Sequence, residues 1–238
     1  MMLRQLFDAE TSTYTYLVAD TASRKAALID PVLGQLERDL ELLRELGLEL
    51  AYAVDTHVHA DHVTAAGALR ERTGCKTVGG VRGASCTDVK LGHGDVLHVG
   101  AVPLRALETP GHTDDSLSLR ADGCVFSGDA LMVRACGRTD FQNGDAGQLY
   151  DSIHAHLFTL PDETVVYPGH DYKGRTLTTV GEERRFNARL AGRTRAQFVE
   201  LMDGLNLPRP KHMDVAVPAT SSAGGSPPRY RGNTPWNR

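Results

Sequence analysis

The sequence predicts an α/β protein, built as one domain with a short C-terminal extension. Segments rich in β-branched and aromatic residues alternate along the chain with stretches of helical spacing, as expected for strands interleaved with helices. The chain has 238 residues, 41% hydrophobic and 24% charged, enough to bury a sizeable core in a globular protein. Ten histidines, several of them in one short cluster, add a third observation, because average composition does not ask for that and a metal does.

The opening residues Met1 to Phe7 lead straight into a strand-like segment. Residues 13–19, TYTYLVA, read as a strand, 20–23 as a turn, and 26–30 as a second strand stopping at Pro31, which together predict a hairpin. Leu36, Leu40, Leu43 and Leu46 recur at helical spacing before Gly47, so this stretch is an amphipathic helix. Residues 50–56 form a buried strand that runs directly into the histidine cluster. A helix over 65–72, a short strand near Thr77 and Val78, and a strand over 102–108 follow. Strands at 116–120 and 124–128 flank the turn Ala121-Asp122-Gly123; a helix spans 147–157, a strand 164–167 and a helix 194–203. Residues 1–218 make the domain, and 219–238, small, polar and rich in Pro and Gly, read as a loosely held tail.

The charge of −4 announces no basic surface for nucleic acid, and no apolar run reaches the roughly 20 residues of a membrane span. The start has no long apolar stretch of the signal-peptide kind. Cys75, Cys86, Cys124 and Cys136 lack CxxC spacing and are too few for a disulfide framework, which predicts reduced thiols and a cytoplasmic protein.

The cluster is Thr56-His57-Val58-His59-Ala60-Asp61-His62, placed directly after a strand. A strand-end loop presents side chains over a rigid sheet, and His57 and His59, two apart, point the same way in extended backbone. Three imidazoles and a carboxylate at this spacing suit a borderline divalent ion such as zinc, iron or manganese. Three further positions repeat the theme at strand ends: His112 after Pro110-Gly111, Asp129 after Ser127-Gly128, and His170 after Pro168-Gly169. Taken alone, each is an ordinary turn; in this order they form a set, and spacing by itself predicts a two-metal site using all seven side chains. His93 and His98 lie in a separate loop and strand and are not assigned to the metal.

The order HxHxDH, PGH, SGD, PGH resembles the metallo-β-lactamase superfamily over about residues 10 to 175. That resemblance implies an αββα sandwich with the metal at one edge. Residues 128–142 (GDALMVRACGRTDFQ), 153–161 (IHAHLFTLP) and 170–176 (HDYKGRT) resemble its persulfide dioxygenase branch, as do 205–210 and 215–218. The branch implies one Fe(II) per chain, held by His57, His112 and Asp129. His59, Asp61, His62 and His170 are then not ligands but orient and hydrogen-bond groups around the metal. The implied reaction oxidises glutathione persulfide with O2 and water to sulfite and glutathione, with no side chain as nucleophile. By similarity to related glyoxalases, Arg138 and Tyr172 are candidates for binding the tripeptide, with Lys173 and Arg175 as further ones. Cys136, beside this loop, reads as a buried inert thiol. The resemblance also implies a homodimer. The alternative is a glyoxalase II-type thioesterase with two metals, acting on S-lactoylglutathione; against it, only a short stretch of chain follows His170.

Overall fold

The computed structural model describes residues 1–209 and 213–221. Its strands, in chain order, are β1 (Met2–Asp8), β2 (Thr13–Asp20), β3 (Lys25–Ile29), β4 (Glu49–Val54), β5 (Lys76–Gly80), β6 (Val89–Leu91), β7 (Val96–Val99), β8 (Val102–Glu108), β9 (Leu117–Ala121), β10 (Cys124–Gly128), β11 (Val165–Pro168) and β12 (Thr178–Thr179). The helices are α1 (Leu36–Glu45), α2 (Ala66–Thr73), α3 (Ala146–Ser152), α4 (Val180–Phe186), α5 (Arg195–Asp203) and α6 (Met213–Ser221). Two six-stranded sheets result, ordered β1-β2-β3-β4-β5-β6 and β12-β11-β10-β9-β8-β7. The expected hairpin is β2 paired antiparallel with β3, after which β3, β4, β5 and β6 run parallel.

Strand alternation divides the core into layers. On β2, Tyr16 and Val18 face the second sheet, while Leu17 and Ala19 face Leu43 and Leu69 of α1 and α2. On β10, Phe126 joins the central layer and Val125 packs with Leu149 of α3 and Phe198 of α5. Strands apolar on both faces must be covered on both, so two sheets and two helical layers are the solution. Tyr16 locks the sheets together: its ring lies 5.1 Å from Phe126 and its hydroxyl donates to the Pro168 carbonyl at 2.6 Å. The αββα expectation therefore holds.

Several elements depart from the pattern expected of the sequence. The helix over 147–157 starts at Ala146, with Asp145 accepting from the Gln148 amide, and its second half, Ile153–Leu157, is a π turn. Helix α4 carries Gly181 and four charged residues and gives little helical signal. Tertiary contacts make it: Glu183 is fully buried, pairs with Arg134 and accepts from the Arg134 amide at 2.8 Å. Residues 219–221, the first of the expected tail, are the last turn of α6. Residues 222–238, most of the expected tail, lie outside the described residues. Among the described residues no helix is long and apolar enough to cross a membrane, and all four cysteines are free thiols.

Asp39 sits fully buried on α1, with Oδ1 paired to Arg38 at 2.8 Å and Oδ2 unpartnered. Burial pushes its carboxyl up to about 6, although Arg38 pulls it down. A carboxyl held above its unfolded value costs stability in full above the folded pKa, and the cost disappears as pH falls below the unfolded value of 3.8. Asp39→Asn should therefore stabilise the protein by on the order of 1–2 kcal/mol at pH 8. The gain should shrink towards pH 4, which thermal denaturation at the two pH values checks.

Candidate metal centre

Four strands deliver the site to one edge of the sandwich. β4 ends two residues before Thr56, β8 before the turn to His112, β10 at Gly128 before Asp129, and β11 at Pro168 before His170. Thr13, at the start of β2, bridges to His170, and the Tyr14 amide donates to the Gly169 carbonyl at 2.8 Å, so both sheets close over the same place.

The cluster is set by a carboxylate that sequence reading passed over as the end of a strand. Asp30 is buried, in left-handed backbone at φ 52°. Its Oδ1 accepts from the Thr56 amide at 2.7 Å and from His59 Nε2 at 3.1 Å, and its Oδ2 accepts from the Thr56 hydroxyl at 2.9 Å. Since the hydroxyl proton of Thr56 is committed to Asp30, Thr56 Oγ1 accepts from His57 Nδ1 at 3.0 Å. This fixes the His57 tautomer and leaves Nε2 with its lone pair outward. The backbone of Gly128, at φ +50°, passes so close that a Cβ there would lie 2.6 Å from Thr56 Oγ1, which explains the glycine before Asp129.

His112 is oriented by the same logic. Its Nδ1 donates to the Arg138 carbonyl at 2.7 Å, so Nε2 is again the free atom, 3.6 Å from Asp129 Oδ2. Asp129 Oδ1 accepts from His170 Nδ1 at 2.7 Å, and Asp61 Oδ2 accepts from His170 Nε2 at 2.8 Å. With both nitrogens donating, His170 is an imidazolium. Burial opposes that charge, but Asp129 and Asp61 outweigh it and raise His170 well above its ordinary value. Burial likewise opposes the Asp129 carboxylate, yet His170, then His112 and His57, hold it well below the usual range. For His57 burial wins, assisted by its neighbouring imidazoles, and the ring stays neutral, as a ligand must. His59 is the opposite case: burial disfavours its charge, but Asp30 raises it to about 9.

The seven side chains expected from sequence thus come together, sorted into groups. Ligand atoms of His57, His112 and Asp129 lie within 4.8 Å of one another, and so do those of His59, Asp61 and His62. A third group, Asp30, Asp55 and His59, is held by internal hydrogen bonds, with Asp55 Oδ1 accepting from Thr64 at 2.7 Å. His62 Nδ1 donates to Asp61 at 2.8 Å, while His62 Nε2 and His59 Nδ1 are buried and unpartnered. Two imidazole nitrogens and one carboxylate oxygen within reach of one another in the first group fit a divalent transition-metal ion.

A cavity of about 630 Å³ opens onto His112, Asp129 and His170, within the size range of small-molecule sites. Tyr172 lines it, its ring parallel to His170 within 5° at 6.1 Å. Arg138 lines it too, but its guanidinium is already engaged. Nε and Nη2 each donate to Asp140 at 2.7 Å, and Nη1 donates to the Pro208 carbonyl at 2.7 Å. Arg138 clasps the segment Leu207–Pro208–Arg209 that forms one wall of the cavity, instead of presenting a free fork. Lys173 is exposed and not part of the lining; its backbone amide donates to Asp171 at 2.8 Å. Arg175 is held by Asp171 as well. Arg189, which sequence reading passed over inside a run of charges, lines the cavity and donates to the Cys136 carbonyl. Burial pushes the Cys136 thiol up to about 11, in keeping with an inert thiol.

Residues 9–85 and 87–170 match the metallo-beta-lactamase superfamily. A mouse protein, persulfide dioxygenase ETHE1, mitochondrial, is 46% identical over 231 residues, covering 96% of this chain and 91% of its own. The crystal structure of ETHE1 from Myxococcus xanthus superposes with a TM-score of 0.93 at 61% identity, over 94% of this chain and all of that one. The chain belongs to the persulfide dioxygenase family of the metallo-β-lactamase superfamily. A hydroxyacylglutathione hydrolase from Bradyrhizobium sp. is a more distant relative, 36% identical over 201 residues, which span 80% of this chain and 76% of that protein.

Two variants test the geometry. Asp30→Ala should weaken metal retention by about 10- to 100-fold through the misoriented imidazoles, measured by dialysis against a graded chelator. Arg138→Ala should leave bound metal unchanged, because His112 uses only the Arg138 carbonyl, while speeding proteolysis within residues 205–209.

Proposed function

We propose that this protein is a non-haem iron dioxygenase that converts glutathione persulfide, O2 and water to glutathione and sulfite. Supporting the reading is the set of free atoms described above: His57 Nε2, His112 Nε2 and Asp129 Oδ2 converge, each with its other polar atom committed to a protein partner. These three residues would hold one Fe(II). Bound iron supplies a centre at which the persulfide sulfur and O2 can meet, turning a three-body encounter into an intramolecular one.

The protein's own groups do the rest. Asp30 and Thr56 hold His57 in one tautomer, and the Arg138 carbonyl does the same for His112. His170 carries its proton between Asp129 and Asp61, stabilising the Asp129 carboxylate without competing for its Oδ2. His59, Asp61 and His62 then serve as orienting groups in this reading. The cavity takes the tripeptide, with Tyr172 beside His170 and Arg189 as a cation for a carboxylate, while Arg138 keeps the C-terminal wall seated. Lys173, exposed and off the cavity, has no part in it. The proposal extends to a homodimer, which the family resemblance implies, and to a cytoplasmic setting, in keeping with the free thiols.

One observation favours a second reading. The unpartnered His59 Nδ1 and His62 Nε2, beside Asp61, are a donor set for a second ion, as a two-metal thioesterase acting on S-lactoylglutathione requires. Metal analysis of anaerobically purified protein, paired with oxygen uptake on adding glutathione persulfide, separates the two. About one iron per chain with sulfite release supports the dioxygenase; two zincs with thioester hydrolysis and no oxygen uptake overturn it. Asp129→Ala should lose iron and activity together, and full iron content in that variant would refute the assigned ligand set.

A further inference from the structure

One side chain joins two ligand-bearing turns of the metal centre. His57 follows β4 of the first sheet, and His112 follows β8 of the second. Residues 138–145, downstream of β10, wrap the His112 turn. The Arg138 carbonyl accepts from His112 Nδ1 at 2.7 Å, and the Asp145 amide donates to the Gly111 carbonyl at 2.9 Å. Gly144 packs so closely that a Cβ there would lie 2.8 Å from the His112 carbonyl oxygen. From this wrap Gln142 reaches across, its Nε2 donating to the Val58 carbonyl at 2.6 Å. Val58 stands between His57 and His59, and its amide donates to Asp115 Oδ2 at 2.9 Å. The two peptides that join Val58 to His57 and to His59 are therefore each held by a side chain from a turn of the second sheet.

The backbone at Gln142 is an independent observation. Gln142 is at φ 50° and Asn143 at φ 58°, two consecutive residues in the left-handed region. Glycine adopts that region freely and asparagine tolerates it, whereas glutamine has no such allowance. Residues held in sparsely populated backbone persist where their surroundings over-determine them, and they collect at functional sites. Glycine would make the easier turn at 142, but it has nothing with which to reach Val58. Asp30 is a parallel in the same molecule: it too is left-handed, at φ 52°, and it too spends its side chain on the turn after β4. Gln142 also lines the cavity that opens onto His112 and Asp129.

We propose that Gln142 is a positioning residue of the metal centre: through the Val58 carbonyl, its side-chain amide locks the His57 turn to the His112 turn and keeps ligands from two different sheets in register. Without that amide, Val58 keeps only its contact with Asp115, and the peptide leading to His59 can turn. The strained backbone at 142 persists because the side chain has this work. The inference rests on the proposed ligand set, in which His57 and His112 both bind the ion, and not on the reaction that follows.

Three variants of the full metal-loaded protein test this. Gln142→Met keeps the length and the strained backbone but removes the donor. Gln142→Gly relaxes the backbone and removes the donor, and Asn143→Gly relaxes the neighbouring residue while keeping it. In dialysis against a graded chelator, both Gln142 variants should hold metal about ten-fold more weakly than the parent, the low end of what orienting partners contribute. Asn143→Gly should match the parent. Loaded with Co2+ instead, the Gln142 variants should show shifted visible absorption bands, which follow ligand geometry, with far-ultraviolet circular dichroism unchanged. A role in the turn alone makes the opposite forecast, that Gln142→Gly holds metal at least as well as the parent, and that result would overturn the proposal. Equal weakening by Asn143→Gly would overturn it too. Should Gln142→Met fold poorly, Gln142→Gly decides, because glycine suits the backbone there. An error in the ligand set shows separately, as full metal content in Asp129→Ala.

Discussion

A buried carboxylate organises the metal centre from behind. Asp30 stands at the end of β3 with no solvent to satisfy it, and an unpaired charge there would cost several kcal/mol. It is satisfied by the Thr56 amide, the Thr56 hydroxyl and His59, and those partners reach it only if the residues after β4 adopt one backbone path. The same path determines which nitrogen of His57 is free. The requirement to pair a buried acid is thereby converted into ligand orientation, with His57 held beside His112 and Asp129. Gly128 belongs to the same arrangement, since a side chain there would collide with Thr56.

Charge alternation carries the arrangement across the site. Asp129, His170, Asp61 and His62 form a chain in which each acid is flanked by imidazole and His170 is held between two acids. Burial alone would neutralise every member; alternation keeps the acids charged in a buried setting. Thr13 Oγ1, 3.0 Å from His170 Nε2, brings the first sheet into the chain. The site is therefore a property of both sheets, and the Tyr16 contacts that hold those sheets face to face also keep the ligands in register.

The cavity wall shows a different division of labour. A guanidinium beside a pocket invites assignment to a carboxylate of the ligand, yet Arg138 is taken up by Asp140 and the carbonyls of Leu207 and Pro208. Its backbone orients His112 while its side chain seats the C-terminal segment. One residue thus links a metal ligand to the far wall through separate atoms. Arg189 lines the cavity as well, from a segment that follows α4.

Much of this was legible in the sequence. The β-branched and aromatic run over 13–19 and the strand over 26–30 marked a hairpin, and four motifs at strand ends named the side chains of the centre, because strand ends are where a rigid sheet can aim a ligand. The periodic helices over 36–46 and 194–203 were readable for the same reason: their burial follows from local spacing. What only the tertiary structure decided is what depends on partners distant in the chain. Asp30 looks like an ordinary strand end until Thr56 and His59 are brought to it. Helix α4 has no helical signature apart from the buried pairing of Glu183 with Arg134. The roles of Arg138, Lys173 and Arg189 turn on which donors are already engaged, and no spacing along a chain records that. Local pattern determines which residues face the core, whereas hydrogen-bond commitment is settled only when the sheets close.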